Sequence, residues 1–231
     1  MLRTAGIFAI VMVAAAIGLP LAAHAQYDEN EPIPGETHYA PAEVGTVFWD
    51  IDGGVGIPVG RLHDLENAGG TVGLGIGYVL TPALALKADG NVEFLQGRSR
   101  DIAGAGDFPD LNLWNYMGTL EARMTGYDSP WIVKLDVGAG ATTFNFRQNT
   151  FVTDAGDLAD ISKNHTYFTL QGGAEVRYQV SPQLDFFGHG DALAMFTKKS
   201  DFDAFTNVDG ARLVRSTSWS IPVTVGFSFR M

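Results

Sequence analysis

The segment 218–231 constrains this chain more than any other. Trp219, Ile221, Val223, Val225, Phe227, Phe229 and Met231 fill one set of alternate positions, and Ser218, Ser220, Pro222, Thr224, Gly226, Ser228 and Arg230 fill the other. Period-two alternation of this kind marks a strand with one apolar and one polar face. Noisier versions recur at 47–57, 71–80, 84–94, 114–124, 131–141, 168–180 and 184–196, so the sequence predicts eight strands. Three connections are short, at 81–83, 125–130 and 181–183, and four are long, at 58–70, 97–111, 147–165 and 197–212. Short turns on one rim and long loops on the other are the layout of a transmembrane barrel. The runs Tyr78-Val79-Leu80-Thr81-Pro82 and Tyr178-Gln179-Val180-Ser181-Pro182 mark equivalent hairpin turns.

Before the strands comes a different kind of sequence. Arg3, an apolar stretch at 7–22 and the small-residue site Ala23-His24-Ala25 read as a secretory signal peptide spanning residues 1–25. Residues 26–45 are rich in proline and acidic side chains and lack apolar periodicity, so they are expected to form a flexible periplasmic lead-in. The barrel is assigned to residues 46–231. The chain has no cysteine, which excludes a disulfide scaffold and a thiolate metal site. Its 26 acidic residues against 15 basic ones argue against a nucleic-acid partner, because phosphate is held by Lys and Arg.

The apolar faces could point inward, as in a soluble barrel, or outward into lipid. Charge is concentrated opposite them: Asp50 and Asp52, Lys87, Asp89 and Glu93, Glu121 and Arg123, Lys134 and Asp136, Glu175 and Arg177, and Asp185, His189 and Asp191. That arrangement suits either orientation. Aromatic position favours lipid, because Trp49, Tyr78, Trp131, Tyr178 and Phe229 fall near the turn rim. Phe94, Trp114, Phe168, Phe196 and Trp219 fall toward the loop rim. Two girdles flanking a paler band are expected of a lipid-facing surface.

On these residues, together with the ending Val225-Gly226-Phe227-Ser228-Phe229-Arg230-Met231, the chain resembles the small outer-membrane barrels of Gram-negative bacteria, the OmpA-like and OmpX/OmpW-like group. The resemblance implies location in the outer membrane, contact with lipopolysaccharide, and an assembly signal at Phe227, Phe229 and Met231 read by the barrel assembly machinery. Family members usually end in Phe; here Met231 takes that place.

An eight-stranded lumen is just wide enough for side chains to fill. The expectation is therefore a structural barrel plugged by an ion-pair network of Lys87, Asp89, Glu93, Glu121, Arg123, Lys134, Asp136, Glu175, Arg177, His189 and Asp191. A hairpin at 125–130 that brings Met124 opposite Trp131 would set Glu121 across from Lys134, and the turn at 181–183 would set Glu175 across from His189. The resemblance offers a narrow ion or small-solute channel as the alternative. A lipid-modifying enzyme is a third reading, since His189 and Asp191 share a face, but the run Gly188-His189-Gly190-Asp191 lacks the His-x-Ser arrangement of lipid A deacylases. Asp154, Asp157, Asp160, Asp201 and Asp203 read as solvated loop acids, and Gly73, Gly75 and Gly77 as room for lumenal neighbours rather than a nucleotide fingerprint. No catalytic group, cofactor or metal is expected, and the loop partner is open.

Overall fold

The computed structural model describes residues 43–98, 109–126, 129–147, 150–152, 158–160, 164–198 and 217–231. The leader, the lead-in up to residue 42, and the loop acids Asp154, Asp157, Asp201 and Asp203 lie outside them. Strands β1 (Val47–Val59), β2 (Glu66–Thr81), β3 (Leu84–Gly97), β4 (Leu111–Arg123), β5 (Trp131–Phe146), β8 (Asn164–Ser181), β9 (Leu184–Met195) and β10 (Ser218–Arg230) form one closed antiparallel barrel. A two-stranded ribbon of β6 (Thr150–Val152) and β7 (Leu158–Asp160) stands apart from it between β5 and β8. Each barrel strand pairs with its neighbour along the chain, and β1 closes on β10 with Trp49 opposite Phe229 and Ile51 opposite Phe227. Closure leaves no unpaired sheet edge.

The short turns are built alike. Thr81 Oγ1 accepts hydrogen bonds from the amides of Ala83 and Leu84, and Ser181 Oγ accepts one from Gln183. Both follow a one-residue register irregularity, at Val79/Thr81 and Gln179/Ser181. The echoed sequence therefore corresponds to an echoed hairpin.

The stretch 58–70, expected as a long loop, is mostly strand. β1 runs to Val59 and β2 resumes at Glu66, with a single short helix, α1 (Arg61–Leu65), between them. Gly60 allows the corner, since its φ of 65° lies in the left-handed region that favours glycine. Leu62 and Leu65 then turn inward and are buried.

Strands β4, β5 and β8 also extend past their predicted limits, and there the alternation changes sign. Trp114 and Phe168 face outward, but one step higher Thr143 and Thr166 face outward and hydrogen-bond each other at 2.9 Å. Leu111, Leu113, Phe144, Phe146 and Tyr167 face inward at this level and join Leu62, Leu65, Leu95 and Met195 in one apolar cluster. An apolar cluster, the cap, thus stands at the loop end of the lumen. Elsewhere the outer face is apolar: Ile51, Leu74, Leu86, Tyr116, Val176 and Val225 are all exposed there.

Candidate functional site

The site is the lumen itself, and alternation places its residues. On β1, β3, β4, β5, β8 and β9 the inward positions carry the charges, while the inward positions of β2 carry glycine. A Cβ at Gly73 would meet the Asp52 carboxylate, one at Gly75 would meet Lys87 Cε, and one at Gly77 would run into the Phe48 ring. The bare strand makes room for side chains of its neighbours.

Toward the turn rim, six charges form a closed ring of alternating sign. Lys87 Nζ lies 3.3 Å from Asp50 and 3.7 Å from Glu121, and Lys134 Nζ lies 2.6 Å from Glu121 and 3.5 Å from Glu175. Arg177 pairs with Glu175 on its own strand and reaches Asp50 at 2.9 Å, which closes the circle. Arg177 also faces Asp185 at 3.9 Å, and Asp185 pairs with Arg230. All six ring residues are shielded from solvent, Asp50 being 1 % exposed. Taking them out of water is costly, and repeated pairing is what makes such burial tolerable. The Phe48 ring sits below, 5.2 Å from Lys134 Nζ and 5.4 Å from the Arg177 guanidinium carbon, and Phe187 lies 5.0 Å from the same guanidinium. These are cation–π distances.

Above the ring lies a second, more acidic layer. His189 Nε2 stands 3.0 Å from Asp136 Oδ2 and 3.2 Å from Asp191 Oδ1, and Gln171 donates to Asp191 at 2.8 Å. Thr119 donates to Asp89 at 3.0 Å. Higher still, Ser220 and Asn115 donate to Glu93, and Thr142 and Thr169 continue the chain from Asn115. The apolar cluster lies beyond this layer on the loop side.

The predicted network residues divide between these groups. Lys87, Glu121, Lys134, Glu175 and Arg177 enter the ring; Asp89, Glu93, Asp136, His189 and Asp191 enter the upper layer. Arg123 enters neither, since its guanidinium donates to the carbonyls of Thr125 and Gly126 in the adjoining turn. The β4–β5 register also differs from the expectation: Arg123, not Glu121, lies opposite Lys134, while Glu121 lies opposite Asp136. The reason is a turn longer by two positions, with Met124 N bonded to Val133 O. Lysine spans the offset, so Glu121 and Lys134 still meet. Glu175 does lie opposite His189, yet each finds its partners elsewhere, because Arg177 and Lys134 claim the glutamate.

Of the girdle residues, Trp49, Tyr78, Trp114, Trp131, Tyr178 and Phe229 are exposed on the outer face and Trp219 is half-buried. Trp131 and Tyr178 are in contact, with ring centroids 4.9 Å apart. Phe227 and Met231 are exposed on the same face. The sequence reading missed the inward aromatics Phe48 and Phe187 and the cap leucines. For Phe48 and Phe187 the signal was present, since each occupies an inward position in its strand.

At the turn-side mouth a cavity of about 50 Å³ is lined by Phe48, Ala85, Lys134 and Arg230 among others. That holds a water or two and no solute.

No known protein-family profile matches the sequence, and no curated protein matches it. The fold has solved counterparts. Neisserial surface protein A superposes with a TM-score of 0.51 at 14 % identity over 81 % of this chain and 99 % of that one. A major outer membrane protein from Thermus thermophilus gives 0.50 at 14 % identity over 80 % and 99 %. At such low identity the likeness is one of architecture, and the architecture is that of the small outer-membrane β-barrels.

Proposed function

We propose that the protein is a structural outer-membrane barrel of a Gram-negative cell envelope, with a closed lumen and loops that meet the exterior. The observations that carry this reading are the six-charge ring near one end of the axis and the apolar cluster at the other. Either alone would obstruct an ion, the first by engaging every charge in the cross-section and the second by excluding water. An outward face of Val, Leu, Ile and aromatics matches hydrocarbon rather than water, because a soluble protein seldom exposes so extended an apolar belt. The aromatic residues Trp49, Tyr78, Trp131 and Tyr178 suit one interface and Trp114, Phe168 and Trp219 the other.

The same reading makes residues 1–25 a cleaved export signal and lipopolysaccharide the outer neighbour. It makes the strand ending in Phe227, Phe229 and Met231 the segment that the assembly machinery engages. It assigns no catalytic role, since His189 is already held between Asp136 and Asp191.

Fractionation of cells together with gel migration before and after heating tests location and barrel at once. Recovery in the outer membrane with heat-modifiable migration is expected. A mature chain that is monomeric and freely water-soluble without detergent would overturn the proposal. Mass spectrometry of lipid A from cells with and without the protein is expected to show identical spectra.

A further inference from the structure

The upper layer of the lumen is not balanced as the ring is. Asp52, Asp89, Glu93, Asp136 and Asp191 share it with one imidazole, and no Lys or Arg among the described residues makes an ion pair with any of the five. The lumenal cations are engaged below, in the ring. Carboxylates enclosed in this way are stabilised by a proton, by hydrogen-bond donors or by a bound positive charge.

Three of these side chains converge on one point. Asp136, His189 and Asp191 offer donor atoms that all lie within 4.8 Å of one another. Asp136 is on β5 and Asp191 on β9, and the residue between them in register on β8 is Gly173. A Cβ there would stand against both carboxylates, so the bare glycine is what lets two acids reach across an intervening strand and meet. His189 Nε2 faces both oxygens, at 3.0 and 3.2 Å, yet a neutral or charged imidazole carries at most one proton on that nitrogen. Donors bound to one metal at about 2.1 Å are themselves separated by roughly 3.0–3.4 Å. The two imidazole-carboxylate separations match those of ligands on one ion, and the third donor pair lies within 4.8 Å.

One hydroxyl elsewhere in this layer also lacks a protein partner. Thr71 is 2 % exposed, faces inward from β2 directly beside Glu93, and its hydroxyl has no partner. A buried hydroxyl left so is uncommon unless a ligand or its water completes it.

We infer that Asp136, His189 and Asp191 form an internal binding site for a divalent cation of the zinc class, at the end of the lumen that the apolar cap encloses. One imidazole nitrogen with two carboxylate oxygens suits a borderline first-row ion, whereas calcium would prefer oxygen alone. Gln171, in contact with both carboxylates, orients them from behind. Because both ends of the lumen are closed, the ion enters as the barrel forms.

The full-length protein is refolded in detergent with Zn²⁺, passed over a chelating resin, and analysed for metal by mass spectrometry, with heat-modifiable migration reporting the fold. One zinc per barrel is expected. His189→Ala and Gly173→Ala are each expected to retain at least about 10-fold less, and Gln171→Leu about 10-fold less. The loop variant Asp154→Asn, Asp157→Asn, Asp160→Asn is expected to retain the full equivalent. Wild-type barrel that holds no zinc, His189→Ala barrel that keeps it, or loss in the loop variant each overturns the site. If the lumenal variants do not fold, Co²⁺-loaded wild type decides: visible absorption of a nitrogen-ligated tetrahedral or five-coordinate ion supports the inference, and the spectrum of hydrated Co²⁺ refutes it.

Discussion

Arg177 binds Glu175 two residues away on β8 and, with the same guanidinium, Asp50 on β1, 127 positions away in sequence. Chain neighbours and two strands three places apart around the barrel are thus joined through one side chain. Arginine suits this place because its fork presents donors in several fixed directions at once.

Removal of Arg177 takes a cation from three carboxylates and leaves Asp50 to Lys87, Glu175 to Lys134 and Asp185 to Arg230 alone. Arg177→Met is expected to destabilise the folded barrel by about 3–5 kcal/mol, as breaking a buried pair does. Urea titration in detergent, followed by tryptophan fluorescence, measures it. Arg177→Lys is expected to recover less than half of the loss, since a point-like ammonium lacks the guanidinium's fixed fork of donors toward Glu175, Asp50 and Asp185.

Glu121 and Lys134 allow a sharper test of the ring. Glu121→Gln and Lys134→Met singly each leave a charge without its partner, whereas the double variant leaves none between them. The double variant is expected to be more stable than the sum of the single losses by at least about 1 kcal/mol. Strict additivity would mean that the 2.6 Å contact contributes nothing.

Closure at two levels makes a specific electrical prediction. In planar bilayers the wild-type protein is expected to be silent, and Lys134→Ala to be silent as well, because the cap around Leu62 and Leu65 is untouched. Steps of conductance are expected only when Lys134→Ala is combined with Leu62→Ser and Leu65→Ser. Wild-type steps that disappear in the Glu121→Ala, Lys134→Ala pair would instead favour a narrow channel.

Orientation of the sheet is tested by paired substitutions on β10. Val225, 56 % exposed, lies on the outer face, and Thr224 next to it is buried in the lumen. Val225→Arg is expected to cost about 2–4 kcal/mol in a bilayer. Val225→Thr is expected to cost far less, and refolding yields into lipid vesicles will rank the series.

Gly77 and Phe48 supply a test of packing. A methyl group at Gly77 has no space beside the Phe48 ring, so Gly77→Ala is expected to destabilise by about 1–3 kcal/mol. Phe48→Leu should relieve the crowding, and the thermal unfolding midpoint of the double variant should recover part of the loss.

Much of this architecture was legible in the sequence, and the illegible part has a common cause. Alternation located the strands because one face meets a single environment over most of its length, as in Trp219 to Phe229. The glycines at 73, 75 and 77 were readable as space for the same reason. The apolar cap was not, because it lies where the environment changes: Asn112 and Asn145 point outward while Leu111, Leu113, Phe144 and Phe146 point inward, the reverse of the lower barrel. A pattern that inverts within one strand reads as noise until the barrel closes around it. Ring and acidic layer were likewise visible only as a set of inward charges. Which acid meets which base depends on barrel shear and on turn length, and the two-residue offset at Lys134 arose from a turn whose closure the residues at 125–130 did not reveal.

Strands β5 and β8 stay paired without a break from Trp131 and Tyr178 up to Asn145 and Asn164. At about 3.3 Å per residue and a tilt near 40°, a strand of this length rises well past a hydrocarbon layer of about 25 Å. Past the point where Thr143 and Thr166 hydrogen-bond on the outside, the two strands stay paired to Asn145 and Asn164. In a barrel set in an outer membrane as proposed, an epitope grafted between Asn145 and Asn164 would be carried clear of the hydrocarbon.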